Sequence, residues 1–526
     1  MATPHAGADQ PVSLLANLAR NAVDPTRVAL TLGPESRTYA ELVRRATALA
    51  AGLATRCGVR PGDRVALLAR NRIEYLEVEL GVSHAGAVLV AMSWRYTTVE
   101  AVAVLARSGA GVALVDPELM PGLLAARATG ELPDLRVVVA FGAGSSAADD
   151  YAELLEAGAS TDWAAEEQGR SIDPHEIIFT SGTTGLPKGA IWTTGGVVWN
   201  ALQQIADFTI TRESVTYVSF DLNYIGGRHQ LVWAILLQGG TVHLKRSGGF
   251  AAEEVFAAVV RHGVTHLLLV PTMLGDVLDL LERRPAEAPA LRMIMCGGAP
   301  VPAAMLERAA RLLPGVWVAH VYGLTEGGGT VCFVPPATAR DKPGSAGVPS
   351  LNARIRVRSE TGPAAPGEIG EVEVLAPTLC AGYWGDIEAT RALFDDGWLR
   401  TGDLGFLDAD GFLFLTGRRK ELIISGGMNV FPAEVEAVLE QHPAVRHAAV
   451  FGVPHQRWGE TVAAAVELLP GHATTSQQLV ELCRERLSGY KLPTVVWFVE
   501  QLPRTPSGKI RKYDLVERYA GRAGDG

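Results

Sequence analysis

A chain of 526 residues with 48% apolar and 20% charged side chains has the balance of a folded globular protein, and it exceeds the roughly 250–300 residues at which one hydrophobic core stops growing, so more than one domain is expected. A net charge of -10 with no basic run argues against a nucleic-acid partner, whose phosphates such a run would neutralise. The five cysteines are scattered without a C-x-x-C pair, Met1–Gln10 lacks a charged start and apolar stretch, and no apolar run reaches the ~18–20 residues of a bilayer span, so a reducing cytoplasm and no membrane span are expected.

From about Leu14 to Arg136 helical patterns alternate with short β-rich runs: a helix over Thr38–Gly52 and strands over Arg64–Ala69 and Val112–Val115. Such alternation implies parallel βαβ units. The run Val137–Phe141 and the following Gly142-Ala143-Gly144-Ser145-Ser146-Ala147 imitate a dinucleotide fingerprint. The imitation is short and leads into a Ser/Ala/Asp stretch, so it reads as a surface turn. Glu176–Phe179, Val215–Phe220, Thr241–Leu244, His266–Val270, Met293–Met295 and Val316–His320 predict a second α/β layer. After Gly344 closely spaced β segments (Ala353–Val357, Gly370–Leu375, Gly411–Leu415) predict a small β-rich subdomain. The last hundred residues return to βαβ texture, with a helix over Ala433–Gln441, a strand over Val445–Val453 and a helix over Ser476–Leu487. The break near Arg418–Glu421 places one domain at 1–419 and a second at 420–526.

The most unusual stretch is Ile178-Phe179-Thr180-Ser181-Gly182-Thr183-Thr184-Gly185-Leu186-Pro187-Lys188-Gly189, where a strand runs into four hydroxyl residues, three glycines and a lysine. Glycines let backbone N–H groups turn inward on an anion, hydroxyls donate to phosphoryl oxygens, and a lysine adds a mobile charge. Neither the glycine spacing nor the lysine position fits the G-x-x-x-x-G-K-[ST] loop, so the chemistry of those nucleoside triphosphatases is not implied.

Thr180–Gly189 closely resembles the phosphate loop of the adenylate-forming superfamily, which includes acyl- and aryl-CoA synthetases, peptide-synthetase adenylation domains and firefly-type luciferases. Further stretches match that family in order: Tyr322-Gly323-Leu324-Thr325-Glu326, Trp398-Leu399-Arg400-Thr401-Gly402-Asp403, Gly417-Arg418-Arg419-Lys420-Glu421 and Pro503-Arg504-Thr505-Pro506-Ser507-Gly508-Lys509. The resemblance covers nearly the whole chain. It implies an α/β multidomain fold: a large N-terminal domain of two α/β subdomains plus a small β-rich subdomain, and a small mobile α+β C-terminal domain hinged at Lys420.

The resemblance also implies roles. Thr180, Ser181, Gly182, Thr183, Thr184, Gly185 and Lys188 would hold the phosphates of ATP. Lys509 would bridge the acid and the α-phosphate, Thr325 would donate to that phosphate, and Glu326 with Thr184 would hold Mg2+. Tyr322, Gly323, Gly298, Ala299 and Pro300 would lie along the adenylate, and Asp403 and Arg418 at the ribose, where an ionised carboxylate can accept from both hydroxyls. Gly427, in Ser425-Gly426-Gly427, would line a passage for the pantetheine arm of coenzyme A. The implied activity is ATP-dependent activation of a small acid as an acyl-adenylate and transfer to CoA. A carrier protein, an amine or a diazo-forming, nitrite-activating reaction remains an alternative second step. A non-catalytic nucleotide-binding relative would be expected to have lost Lys509, Glu326 or Asp403, all of which are present. Many relatives are homodimers.

The chain departs from the family where many synthetases carry a Pro-Leu-Phe-His pattern; here Asp221-Leu222-Asn223-Tyr224 stands in that place, followed by Gly226-Gly227-Arg228-His229. With Asn223, Tyr224, Arg228, Gly297 and Gly328 around an acyl pocket, a long alkyl tail would leave polar groups unpaired, which points to a short, aromatic or polar acid. Arg228 directed to solvent or to a subunit contact is the alternative. The run Gly327-Gly328-Gly329 is expected to widen or loosen the pocket wall.

Overall fold

The computed structural model describes residues 13–21, 23–142, 149–161, 170–180, 188–339, 341–455, 458–504 and 510–519. The first sheet has seven strands in the order Asp149–Asp150, Val137–Ala140, Val112–Val115, Arg64–Leu68, Val88–Met92, Pro174–Thr180, Lys188–Thr193. All neighbours are parallel except the last pair. A second sheet of nine strands is parallel through Trp317–Leu324, Met293–Gly297, His266–Leu269, Val215–Val218 and Thr241–Leu244. The early strand Val28–Leu32 also joins it, pairing parallel with Thr241–Leu244. The division between the two α/β layers therefore does not follow the chain.

Helix Glu74–His84 buries every residue from Tyr75 to Val82, and Val232–Leu237 is buried throughout. Helices buried on all sides belong between covered layers, and both helices contribute to one core that also takes side chains from the two sheets. Acidic residues in such a helix must find partners. Glu77 meets Arg37, Arg45 and Tyr151, and Glu79 meets His175, Arg228 and Trp233.

Residues 354–418 carry all the strands of a six-stranded antiparallel sheet. A five-stranded sheet follows, from Ile423–Ser425 to Val495–Val499, with helices Pro432–Leu439, Ser476–Arg484 and Lys512–Tyr519. The strand expected over Val316–His320 instead runs over Trp317–Leu324, because it turns back antiparallel onto Gly329–Phe333. That extension carries Tyr322 on a paired strand. No described helix is long and apolar enough to cross a membrane.

Candidate active site

The site lies where strands of both large sheets end at their C-terminal edges, the usual ligand position in open α/β sheets. Thr180 closes the strand Pro174–Thr180 and Lys188 opens the antiparallel strand Lys188–Thr193; the two residues pair directly, with Phe179 opposite Gly189. The ladder thus clasps the base of the phosphate loop. Ser181, Gly182, Thr183, Thr184 and Gly185 lie outside the described residues.

Segment 380–384 adds to the strand that leaves this loop. Ile191 N–H donates to the Gly382 carbonyl at 2.9 Å, Ala381 N–H to Ile191 at 2.8 Å, and Trp384 N–H to Gly189 at 2.8 Å. Tyr383 is thereby delivered to the site: its hydroxyl donates to Glu326 Oε1 at 2.7 Å, and its ring lies under the Lys188 ammonium at 5.0 Å. Burial, and then the Glu326 carboxylate, push the Tyr383 phenol well above its ordinary pKa, so it remains a donor. The Thr325 carbonyl, one residue before Glu326, accepts from the indole N–H of buried Trp192 at 2.9 Å. Sequence reasoning missed Tyr383 and Trp192, since neither lies in a charged or glycine-rich motif.

A second convergence holds Asp403. The ladder pairs it with Arg418, whose Nε lies 3.1 Å from Oδ1, and Tyr322 donates its hydroxyl to Oδ2 at 2.6 Å. Asp403 is 6% exposed, while more than half of the Arg418 side chain is open to solvent. Burial, reinforced by Asp403, drives the Tyr322 phenol well above its ordinary value. The carboxylate is oriented and nearly buried, with its arginine partner facing solvent.

Gly297 ends the strand Met293–Gly297, and a Cβ there would come within 2.5 Å of Val321 Cγ2; Gly298 turns the chain at φ +83°, leaving Ala299 and Pro300 exposed. Gly323 likewise has no room for a side chain, its Cβ position lying 2.0 Å from the Gly329 carbonyl. The glycines 327–329 do not widen a pocket. A Cβ on Gly328 would lie 1.9 Å from the Thr378 carbonyl, and one on Gly329 2.5 Å from Gln230 Nε2. They allow backbone segments to pack at contact, and the expectation of a loosened wall is corrected.

Arg228 requires a correction as well. It is 0% exposed. Its Nε lies 2.7 Å from Glu79, its other nitrogens reach Glu176 and the Leu222 carbonyl, and its guanidinium sits 5.5 Å from the Tyr75 ring centroid. His229 pairs with Glu176 and packs on Trp192 at 4.7 Å. Arg228 therefore faces neither an acyl pocket nor solvent, because two buried carboxylates already occupy its charge. Glu79, Glu176 and His229 are also the one group of three potential metal ligands among the described residues, but the guanidinium bound to both carboxylates supplies the cation there. Of the expected pocket strip, Asn223 is buried with its Oδ1 lacking a partner, and half-buried Tyr224 lies beside Ser93 and Asn223.

Lys420 is exposed in the single turn Arg419–Glu421 between the third and fourth sheets. Next to it, Glu421 pairs with Lys512 at 3.1 Å, and Lys512 reaches Glu436 at 2.7 Å. Gly426 and Gly427, at φ +59° and +81°, make the two-residue turn between Ile423–Ser425 and Met428–Val430, where both positions require positive φ. Lys509 lies outside the described residues; Arg504 and Ile510 bridge on either side of its loop.

Among the described residues no ion pair neutralises Glu326, and no third protein ligand accompanies it. One open carboxylate suits Mg2+, which is commonly held by one or two carboxylates together with substrate phosphates.

Residues 18–384 match the family model described as AMP-binding enzyme, and residues 434–509 the model described as AMP-binding enzyme C-terminal domain. Feruloyl-CoA synthase of an Amycolatopsis species is 39% identical over 95% of this chain and 97% of its own. Indoleacetate–CoA ligase of Aromatoleum aromaticum is 34% identical over 95% and 96%. A long-chain-fatty-acid–CoA ligase of Mycobacterium tuberculosis is also 34% identical, over 94% and 97%. The crystal structure of ATP-bound MatB from Rhodopseudomonas palustris superimposes with a TM-score of 0.88 at 29% identity, covering 97% of this chain and 99% of that one. With both family models matched in order and relatives aligned along nearly its whole length, this chain belongs to the AMP-binding, adenylate-forming enzymes of the acyl- and aryl-CoA ligase type.

Proposed function

We propose that this protein is an AMP-forming acid–CoA ligase for a small acid, aromatic acids foremost. The carrying observation is that Tyr383 brings together Lys188 and Glu326, two charges without an ion-pair partner among the described residues that a magnesium-bound nucleotide would complete, while Tyr322, four residues before Glu326, orients Asp403. In the first step a carboxylate oxygen of the acid attacks the α-phosphorus of ATP, and the bond to pyrophosphate breaks. In the second the CoA thiolate attacks the acyl carbon and AMP leaves. Lys188 and the phosphate loop hold the triphosphate, Asp403 and Arg418 hold the ribose, and Thr325 and Lys509 act at the α-phosphate. Glu326, with Thr184, holds Mg2+, which when bound neutralises phosphate charge. Gly298, Ala299 and Pro300 offer an open surface for the adenine and acyl groups.

The small-acid reading rests on Asn223 and Tyr224 and on the acids named for feruloyl and indoleacetate relatives, with Arg228 no longer part of it. Residues 1–419 carry adenylation and residues 420–526 turn about Lys420, so that Lys509 leaves and the Gly427 turn admits the thiol. The working form is taken to be a cytoplasmic homodimer. A panel of acids scored by ATP–pyrophosphate exchange, with and without CoA, tests the reading. Aromatic acids are expected to exchange and to yield thioesters; exchange without thioester removes CoA as acceptor, and palmitate turned over as well as aryl acids removes the small-acid assignment.

A further inference from the structure

We infer that Tyr383 is a positioning residue for metal and triphosphate, holding Glu326 by its hydroxyl and Lys188 by its ring so that acid and base do not neutralise each other. The inference rests on the acid-activating function proposed above. An acid and a base on adjoining walls of one site tend to pair, and a paired Glu326 and Lys188 would offer less to a cation and a phosphate. Here Glu326 Oε1 accepts the Tyr383 hydroxyl at 2.7 Å and the Lys188 ammonium lies 5.0 Å from the centre of the same ring, while no ion pair joins Lys188 to Glu326.

The donor is neutral, so it orients the carboxylate without cancelling its charge. One oxygen is occupied and the other is left for single-oxygen ligation, which suits a small octahedral cation. The ring attracts the ammonium electrostatically yet cannot remove its proton. The backbone supports this placement from both sides. Tyr383 bridges Ala190 on the strand that begins at Lys188, and Cys380 N–H donates to the Glu326 carbonyl at 3.0 Å. One short segment thereby registers the lysine that follows the phosphate loop against the acid that precedes Gly327. Outer partners of metal ligands commonly affect metal affinity 10–100-fold.

The test compares wild type with Tyr383→Phe, which keeps the ring and loses the hydroxyl, and Tyr383→Leu, which loses both. Mn2+ is titrated into protein with ATP and the bound ion is read by electron paramagnetic resonance; metal-free ATP binding is measured in EDTA. Tyr383→Phe is expected to weaken Mn2+ binding roughly ten-fold with metal-free ATP binding unchanged. Tyr383→Leu is expected to weaken both. The half-saturating Mg2+ concentration in pyrophosphate exchange should rise in parallel for Tyr383→Phe. Unchanged Mn2+ affinity in Tyr383→Phe, with melting temperature preserved, overturns the inference. If the manganese difference holds while wild type exchanges pyrophosphate with no acid, the acid-activation reading fails and this one stands.

Discussion

Two clusters in this molecule each bring acidic and basic side chains together, and they differ in how far those charges meet one another. Around Arg228, two glutamates, an arginine and two histidines are buried and pair their charges with one another between the large layers. In the second cluster, Lys188 opens a strand and Glu326 follows one, both half-buried and held by the neutral Tyr383 with no ion pair among the described residues, while nearby Asp403 is held by Tyr322 and by the largely exposed Arg418. The first is a closed structural unit, because desolvated charges survive only when paired in place. In the second, Lys188 and Glu326 have no ion-pair partner among the described residues, the condition that the proposed nucleotide and metal would complete. Buried charge by itself does not mark a site.

The largest effect expected from breaking this contrast is on stability. Arg228→Met leaves Glu79 and Glu176 buried without their cation and is expected to cost about 3–5 kcal/mol, read as a fall in the urea midpoint. Asp403→Asn should do the opposite: nearly unchanged stability and an ATP KM raised at least about ten-fold, since a hydrogen bond to a charged group is worth about 1.5–3 kcal/mol. If both variants lose stability equally, the distinction between closed and open clusters fails.

A smaller effect sharpens the same contrast through pH. Burial alone would raise the Glu176 carboxyl, but Arg228 and then His229 outweigh it and bring it down from the usual 4.5 to about 2. A depressed carboxyl contributes stability that is complete above its unfolded value and is lost as pH falls through the folded one. Wild type should therefore lose stability progressively from about pH 4.5 towards pH 2, and the advantage over Glu176→Gln should shrink across that window, measured by urea unfolding at each pH. A constant difference between the two proteins from pH 6 to pH 2 would refute the assignment.

Much of the fold was legible because its signals are local. Buried strands such as Val112–Val115, and Arg64–Leu68 after its first residue, are unbroken β-branched and aliphatic runs, and Thr38 announces the helix Tyr39–Thr55 by a capping box with Glu41. The phosphate loop stood out because glycines, hydroxyls and a lysine in one short span have few structural uses. Arg228 was misread because its partners, Glu176 and Glu79, are remote in sequence, and an arginine beside two glycines carries no mark of what it will meet. Tyr383 was missed for the same reason: the acid that it holds is 57 residues away.

The amino-acid sequence by itself determined the α/β texture and the ordered motifs, since each depends on spacing within a short span, and the family resemblance those motifs carry implied the chemistry of nucleotide-dependent acid activation. Tertiary structure alone decided that glycines 327–329 serve close packing, that Arg228 belongs to the core, and that Tyr383 stands with Glu326 and Lys188. Each of these depends on which remote groups share a few ångströms of space, and charge changes its meaning with the partners it finds there.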